Sequence, residues 1–231
     1  MGAVGNDRTN PGERAPFALA WGSLLDAARQ LPYQDFTAPS GCAGWKVQDL
    51  LCHLVIDAQD ILITLATPTD DEPTHNAATY WEITHTLPSG QDPLDALTVR
   101  LAAAYEDPDL LKHHLDDVGS AAGRAAQLVP PDLRISTQGE VLTAADYLDA
   151  YVLEATLHHL DLTAHIGGVD GPPASTLAES RKQFERIVDA TFPVSMSDTA
   201  VLTVGTGRRP ATAVEIAELG PVGDRLPYVL G

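Results

Sequence analysis

The chain has 231 residues, and 14 Lys and Arg against 32 Asp and Glu leave a net charge of −18. That charge excludes phosphate-driven nucleic-acid binding and attraction to an anionic membrane surface. At about 150 residues per domain the length allows one or two domains, and 44% hydrophobic residues supply a core.

Residues 1–12 are polar and rich in glycine, and are expected to be disordered. They lack the apolar core of a signal peptide, and no later segment reaches the roughly 18 apolar residues of a membrane span. The two cysteines, Cys42 and Cys52, are too few for a disulfide framework, which fits a reducing, cytoplasmic setting.

Phe17, Trp21, Leu24, Leu25, Ala28 and Leu31 recur at three- and four-residue steps and predict a first helix, ended by Pro32. The turn-rich run TAPSGCAGW follows. A second helix is expected over Val47–Leu65, with Asp49 near its positive end. Residues 67–91 read as a long connection holding one short helix. A third helix is expected over Asp92–Leu115, with Pro108 either kinking it or dividing it. The run LRISTQGEVLT suggests a hairpin.

The fourth helix is the clearest. Thr143 and Asp146 form a capping-box-like start, YLDAYVLEATLHHLDLTAHI carries the helix, and Gly167-Gly168 stops it. Four such helices predict a mainly α four-helix bundle over residues 13–172. Residues 173–231 read as a small accessory α(+β) subdomain. Within it, a capping box at Thr176–Glu179 opens a helix to about Ala190. A short strand is expected at Ala200–Val204 and a last helix at Thr212–Leu219.

The polar residues that interrupt the apolar runs carry the chemistry. Glu154 and His158 stand four apart on one helix face, about 6 Å along the axis. His53 interrupts the apolar run of the second helix. In a bundle core these three side chains could converge on a divalent cation and leave a position open. The same spacing also suits a surface ion pair and a hydrogen-bonded core histidine. His113 and His114 suit a helix C-terminus, His75 and His85 lie in the long connection, and His159 points about 100° from His158. Cys52 reads as core.

WKVQDLLCHL (45–54), TAADYLDAYVLEATLHHLDL (143–162) and the closing GTGRRPATAVEIAELGPVGDRLP resemble blocks of the mycothiol-dependent maleylpyruvate isomerase N-terminal family. That family belongs to the DinB-like four-helix bundles. The resemblance implies metal ligands at His53, Glu154 and His158, with zinc the usual ion and nickel an alternative. Asp57 and Asp161 fall on or near the site faces, as orienters of the imidazoles or as solvated acids. The resemblance also implies mycothiol, or a similar low-molecular-weight thiol, as co-substrate. The implied activity is an isomerase or S-transferase acting on a small electrophile, with a homodimer as one form of the protein. A metal-dependent hydrolase and a non-catalytic metal- or ligand-binding protein are the alternatives. The family's isomerase has a larger C-terminal domain than this tail, which puts maleylpyruvate itself in doubt as substrate. Any anionic substrate would need Arg100, Arg124, Arg134, Arg208 or Arg209 brought to the site.

Overall fold

In the computed structural model of the chain, which describes residues 15–90 and 92–230, the periodic segments fold as helices α1 (Ala15–Gln30), α2 (Val47–Leu65), α4 (Pro108–Leu128) and α5 (Ala144–Thr163) of a bundle. The expected disordered segment 1–12 lies outside the described residues. Helix α1 buries the predicted Phe17, Trp21, Leu24, Leu25 and Ala28. The Trp21 indole N–H donates to the Gly119 carbonyl of α4 at 2.9 Å. A Cβ at Gly119 would come within 2.8 Å of Leu25 Cδ2, so glycine sets how closely α1 and α4 approach.

Helix α2 begins where expected. The Asp49 carboxylate accepts the Lys46 backbone N–H at 2.8 Å, which satisfies a donor at the helix start. The third predicted helix is two: α3 (Pro93–Ala103) and α4. Each opens on an Asp-Pro pair. Asp92 accepts from Leu94 N–H at 2.9 Å, and Asp107 accepts from Asp109 N–H at 3.0 Å. Helix α4 also runs past Leu115 to Leu128, so residues expected in a connection are helical.

The hairpin is present. Strands β2 (Arg134–Thr137) and β3 (Glu140–Thr143) pair antiparallel around Gln138 and Gly139, both at positive φ. That is the backbone a two-residue hairpin loop needs. Helix α5 follows at once, and the Thr143 hydroxyl accepts Asp146 N–H at 3.0 Å as the sequence predicts. The Asp146 carboxylate, expected to complete the box, instead accepts from Thr143 Oγ1 and from the Ala77 N–H of the long connection.

That connection contains no helix among its described residues. Its strand β1 (Ile83–Thr84) pairs antiparallel with β4 (Val229–Leu230) at the C-terminal end. The chain's end is thereby tied to the connection.

Fourteen of the twenty residues of α5 are buried. A helix apolar nearly all round must have partners on more than one side. One side of α5, with Tyr147, Tyr151, Val152, Ala155 and Leu162, joins the bundle core. Leu153 and Leu157 join a second core with Phe184, Phe192, Val201, Leu202 and Tyr228. This second core is built by α6 (Ala174–Ile187), α7 (Asp198–Gly205), α8 (Ala213–Leu219) and the segments between them.

Three local expectations are corrected here. Helix α6 starts at Ala174 after Pro173, and the Thr176 hydroxyl donates to the Pro173 carbonyl at 2.8 Å instead of capping. It ends at Ile187, short of Ala190. Residues 200–204 lie in α7, not in a strand: Ser197 caps that turn of chain, and a short apolar run does not reveal its own periodicity.

Candidate functional site

Helices α2 and α5 bring His53, Asp57, Glu154 and His158 together, with one ligand-type atom of each lying within 4.8 Å of all the others. His53 and Asp57 are one turn apart on α2, and Glu154 and His158 one turn apart on α5, so each helix presents a neighbouring pair. The Nε2 atoms of His53 and His158 are 3.1 Å apart. Glu154 Oε1 is 2.8 Å from His158 Nε2 and 4.0 Å from His53 Nε2. Asp57 Oδ2 is 3.4 Å from His53 Nε2. The Trp45 indole packs edge-on against the His53 ring, with centroids 5.2 Å apart.

The other nitrogen of His158 is also held. Nδ1 lies 3.2 Å from Asp161 Oδ2. An ionised carboxylate there accepts the Nδ1–H hydrogen bond, so that in the neutral imidazole the Nε2 lone pair faces His53 and Glu154. Asp161 is itself clamped: Arg208 donates through Nε to Oδ1 and through Nη2 to Oδ2, both at 2.8 Å. The Asp161 carbonyl accepts Gly41 N–H at 2.8 Å. A Cβ on Gly41 would sit 2.5 Å from Asp161 Oδ1 and 2.7 Å from its Cα, so only glycine lets the 40–45 turn approach α5 this closely. That turn also delivers Cys42, whose thiol donates to Asp161 Oδ2 at 3.3 Å and lies 3.9 Å from His158 Nδ1.

The electrostatics follow from these contacts. Burial alone would raise the Glu154 carboxyl, but the two imidazoles outweigh it and hold the pKa low. Burial likewise opposes ionisation of Asp161, but Arg208 and His158 bring it down to about 2. His158 is moved well above its ordinary value, because Glu154 and Asp161 overcome the burial that disfavours imidazolium. Without a metal these acids therefore favour the imidazolium form of His158, whose Nε2 proton a divalent cation would displace. Asp57 goes the other way, raised by burial. Burial also pushes the Cys42 thiol up, which keeps it protonated.

Deeper along the same helices, Tyr147 and Tyr151 both donate their hydroxyls to Asp60 Oδ2, at 2.9 and 3.0 Å. Burial first, and the charge of Asp60 with it, raise both phenols.

These residues fit a divalent cation. Asp57 Oδ2 is buried and accepts no hydrogen bond, although it faces the cluster. Two imidazole nitrogens and a carboxylate oxygen converging from two helices are a donor set that zinc and its first-row neighbours accept. A cavity of about 440 Å³ opens beside Glu154 and His158, and Trp45, Cys42, Leu87, Leu157 and Arg208 are among its walls.

The sequence had singled out His53, Asp57, Glu154, His158 and Asp161, and all five meet here. Asp57 lies among the first three, not behind them. Of the two tail arginines, Arg208 reaches the site, whereas Arg209 pairs with Glu215 at 2.6 Å. His159 instead places Nε2 2.9 Å from the Asp170 carbonyl. His165 is exposed, and His75, His85, His113 and His114 do not join the cluster. Cys42 was missed; its only sequence signal was a turn with two glycines beside a cysteine.

Residues 17–163 match the family model of the mycothiol maleylpyruvate isomerase N-terminal domain. Among solved structures, the crystal structure of the mycothiol-dependent maleylpyruvate isomerase matches with a TM-score of 0.53 and 16% identity. The match covers 76% of this chain and 70% of that one. At that identity the likeness shows a shared fold. No curated protein matches the sequence.

Proposed function

This chain belongs to the mycothiol maleylpyruvate isomerase N-terminal domain family, and from that membership and the α2–α5 cluster we propose a thiol-dependent isomerase or S-transferase of a small electrophile, with a divalent metal as cofactor. Mycothiol or a thiol of its kind is the co-substrate. The observation that carries the reading is the convergence of His53 Nε2, His158 Nε2 and Glu154 Oε1, with Glu154 and His158 in the wall of a cavity of about 440 Å³. Those three side chains would hold the ion, zinc by preference and nickel as the alternative. When bound, the metal lowers the pKa of a thiol, so that thiolate is present at neutral pH.

The protein's own groups do the rest. Asp161 holds the proton on His158 Nδ1 and keeps Nε2 a lone-pair donor. Arg208 fixes Asp161, and Trp45 fixes the His53 ring. The cavity wall keeps water from the thiolate and positions the electrophile against it. The Cys42 thiol, protonated and turned toward Asp161, serves as a hydrogen-bond donor and not as the nucleophile. In the isomerase reaction, the thiolate sulfur bonds to one carbon of an activated cis double bond while the π pair moves toward the conjugated carbonyl. Rotation follows, the carbon–sulfur bond breaks, and the thiol is returned unchanged. In a transferase the adduct takes up a proton and is released. Free Cys42 and Cys52 favour a reducing, cytoplasmic setting.

Titration of mycothiol into zinc-loaded protein, followed by thiolate absorption and calorimetry, tests the thiol. Saturable binding that disappears on metal removal is expected. If thiols neither bind nor support turnover while water does, the site is a hydrolase.

A further inference from the structure

The cavity's charge balance identifies the class of electrophile. Among the described residues lining it, Arg208 is the one Arg or Lys, His158 would be a neutral ligand once an ion is bound, and three carboxylates, Asp95, Glu154 and Asp161, share the space. Arg208 is already engaged, with two hydrogen bonds to Asp161 at 2.8 Å. The neighbouring Arg209 is held by both oxygens of Glu215, at 2.6 and 2.8 Å. A divalent ion at His53, Glu154 and His158 would offset the excess negative charge and leave no surplus cation. A dicarboxylate entering this space would find no uncommitted cation to pair with, within a chain of charge −18. Leu157, Trp45, Val229 and Leu230 supply apolar wall. Beyond Leu87 and Gly207, which line both spaces, lies a second cavity of about 460 Å³ with Val204, Ile216 and Leu219 in its wall. That second space suits an apolar substituent.

We propose, resting on the thiol reading above, that the electrophile is a neutral carbonyl-conjugated cis-alkene with an apolar substituent, and not a dicarboxylate. The thiolate–alkene chemistry is unchanged: a carbon–sulfur bond forms as the π bond opens, and breaks as the trans alkene leaves.

The test uses the zinc-loaded full chain with mycothiol and two probes of one skeleton, dimethyl maleate and maleate. Each rate is divided by its uncatalysed rate with the same thiol. Calorimetry with the unreactive pair dimethyl succinate and succinate reads binding without chemistry. The diester is expected to lead in both assays by at least about tenfold, the size of an unfavourable charge contact in a partly screened site. Leu87→Arg adds an uncommitted cation at the shared wall. Leu87 is 55% exposed, so the fold should persist, as circular dichroism would verify. The variant should move the preference toward succinate by about tenfold. Equal or better handling of the dianions by the unmodified protein overturns the proposal and leaves the thiol reading standing. Preferred diester binding with no turnover of either alkene upholds the cavity's charge preference and overturns the thiol reading instead.

Discussion

Arg208, from the segment after α7, closes both of its hydrogen bonds on Asp161 of α5, which in turn faces Nδ1 of His158. The acidic half of the pair is nearly dry, with the Asp161 side chain 2% exposed, while the Arg208 side chain is 22% exposed. The pair therefore joins the C-terminal segment to the bundle at the point where the proposed metal ligand His158 is oriented.

Removing the guanidinium leaves a buried carboxylate without its partner. Arg208→Gln is expected to destabilise the fold by about 3 kcal/mol, the usual loss when one member of a buried pair is removed. It should also weaken metal binding by about 10–100-fold, because Asp161 no longer holds His158. Urea unfolding of the metal-free protein and a competitive chelator titration separate the two effects. Unchanged metal affinity would show that Arg208 is not needed to hold Asp161 against His158.

Gly41→Ala tests the same contact from the other side. Its Cβ would meet the side chain and Cα of Asp161 at 2.5 and 2.7 Å, so the turn must move away from α5. Overpacking of this kind costs about 1–3 kcal/mol. Because Cys42 travels with the turn, alkylation of Cys42 should become faster in the variant.

Tyr147 and Tyr151 are held protonated by burial and by Asp60. The folded state therefore keeps protons that the unfolded chain releases above about pH 10. Their contribution to stability is complete below that pH and declines as pH rises through and beyond it. In an ultraviolet titration of the six tyrosines, these two should ionise only as the protein unfolds. Phenolate absorption from all six before loss of helix would contradict the burial.

Leu153 is fully buried and faces the second core, whereas Leu148 faces the first. Leu153→Ala should cost about 2–5 kcal/mol. If the second core buttresses Arg208, the same variant should also loosen the metal site, a coupling readable by chelator titration.

The parts of the fold set by local pattern were legible in the sequence. Helices α1, α2 and α5 declare themselves through apolar spacing, and α5 through Thr143. Helix α4 was cut short because its buried positions beyond Leu115 are Gly119, Ala122 and Ala126, small residues that give little hydrophobic signal. Helix α7 read as a strand because eight residues hold too few turns to show a period. In the site, Glu154 and His158 were legible from spacing on one helix, and His53 from its place in an apolar run. Cys42 was not, and Arg208 was legible only as one of five candidate arginines, since they meet Asp161 across 119 and 47 residues of chain. No local rule encodes a contact made only by tertiary packing.

His53, Glu154 and His158 are proposed to hold one divalent cation. The most direct test is X-ray absorption on zinc-reconstituted protein, with metal content measured beside His158→Ala. One zinc per chain is expected, bound by two imidazole nitrogens and carboxylate oxygen, with stoichiometric uptake lost in the variant. A protein that takes up no zinc or nickel, or a His158→Ala variant that still binds zinc one-to-one, would contradict the proposal.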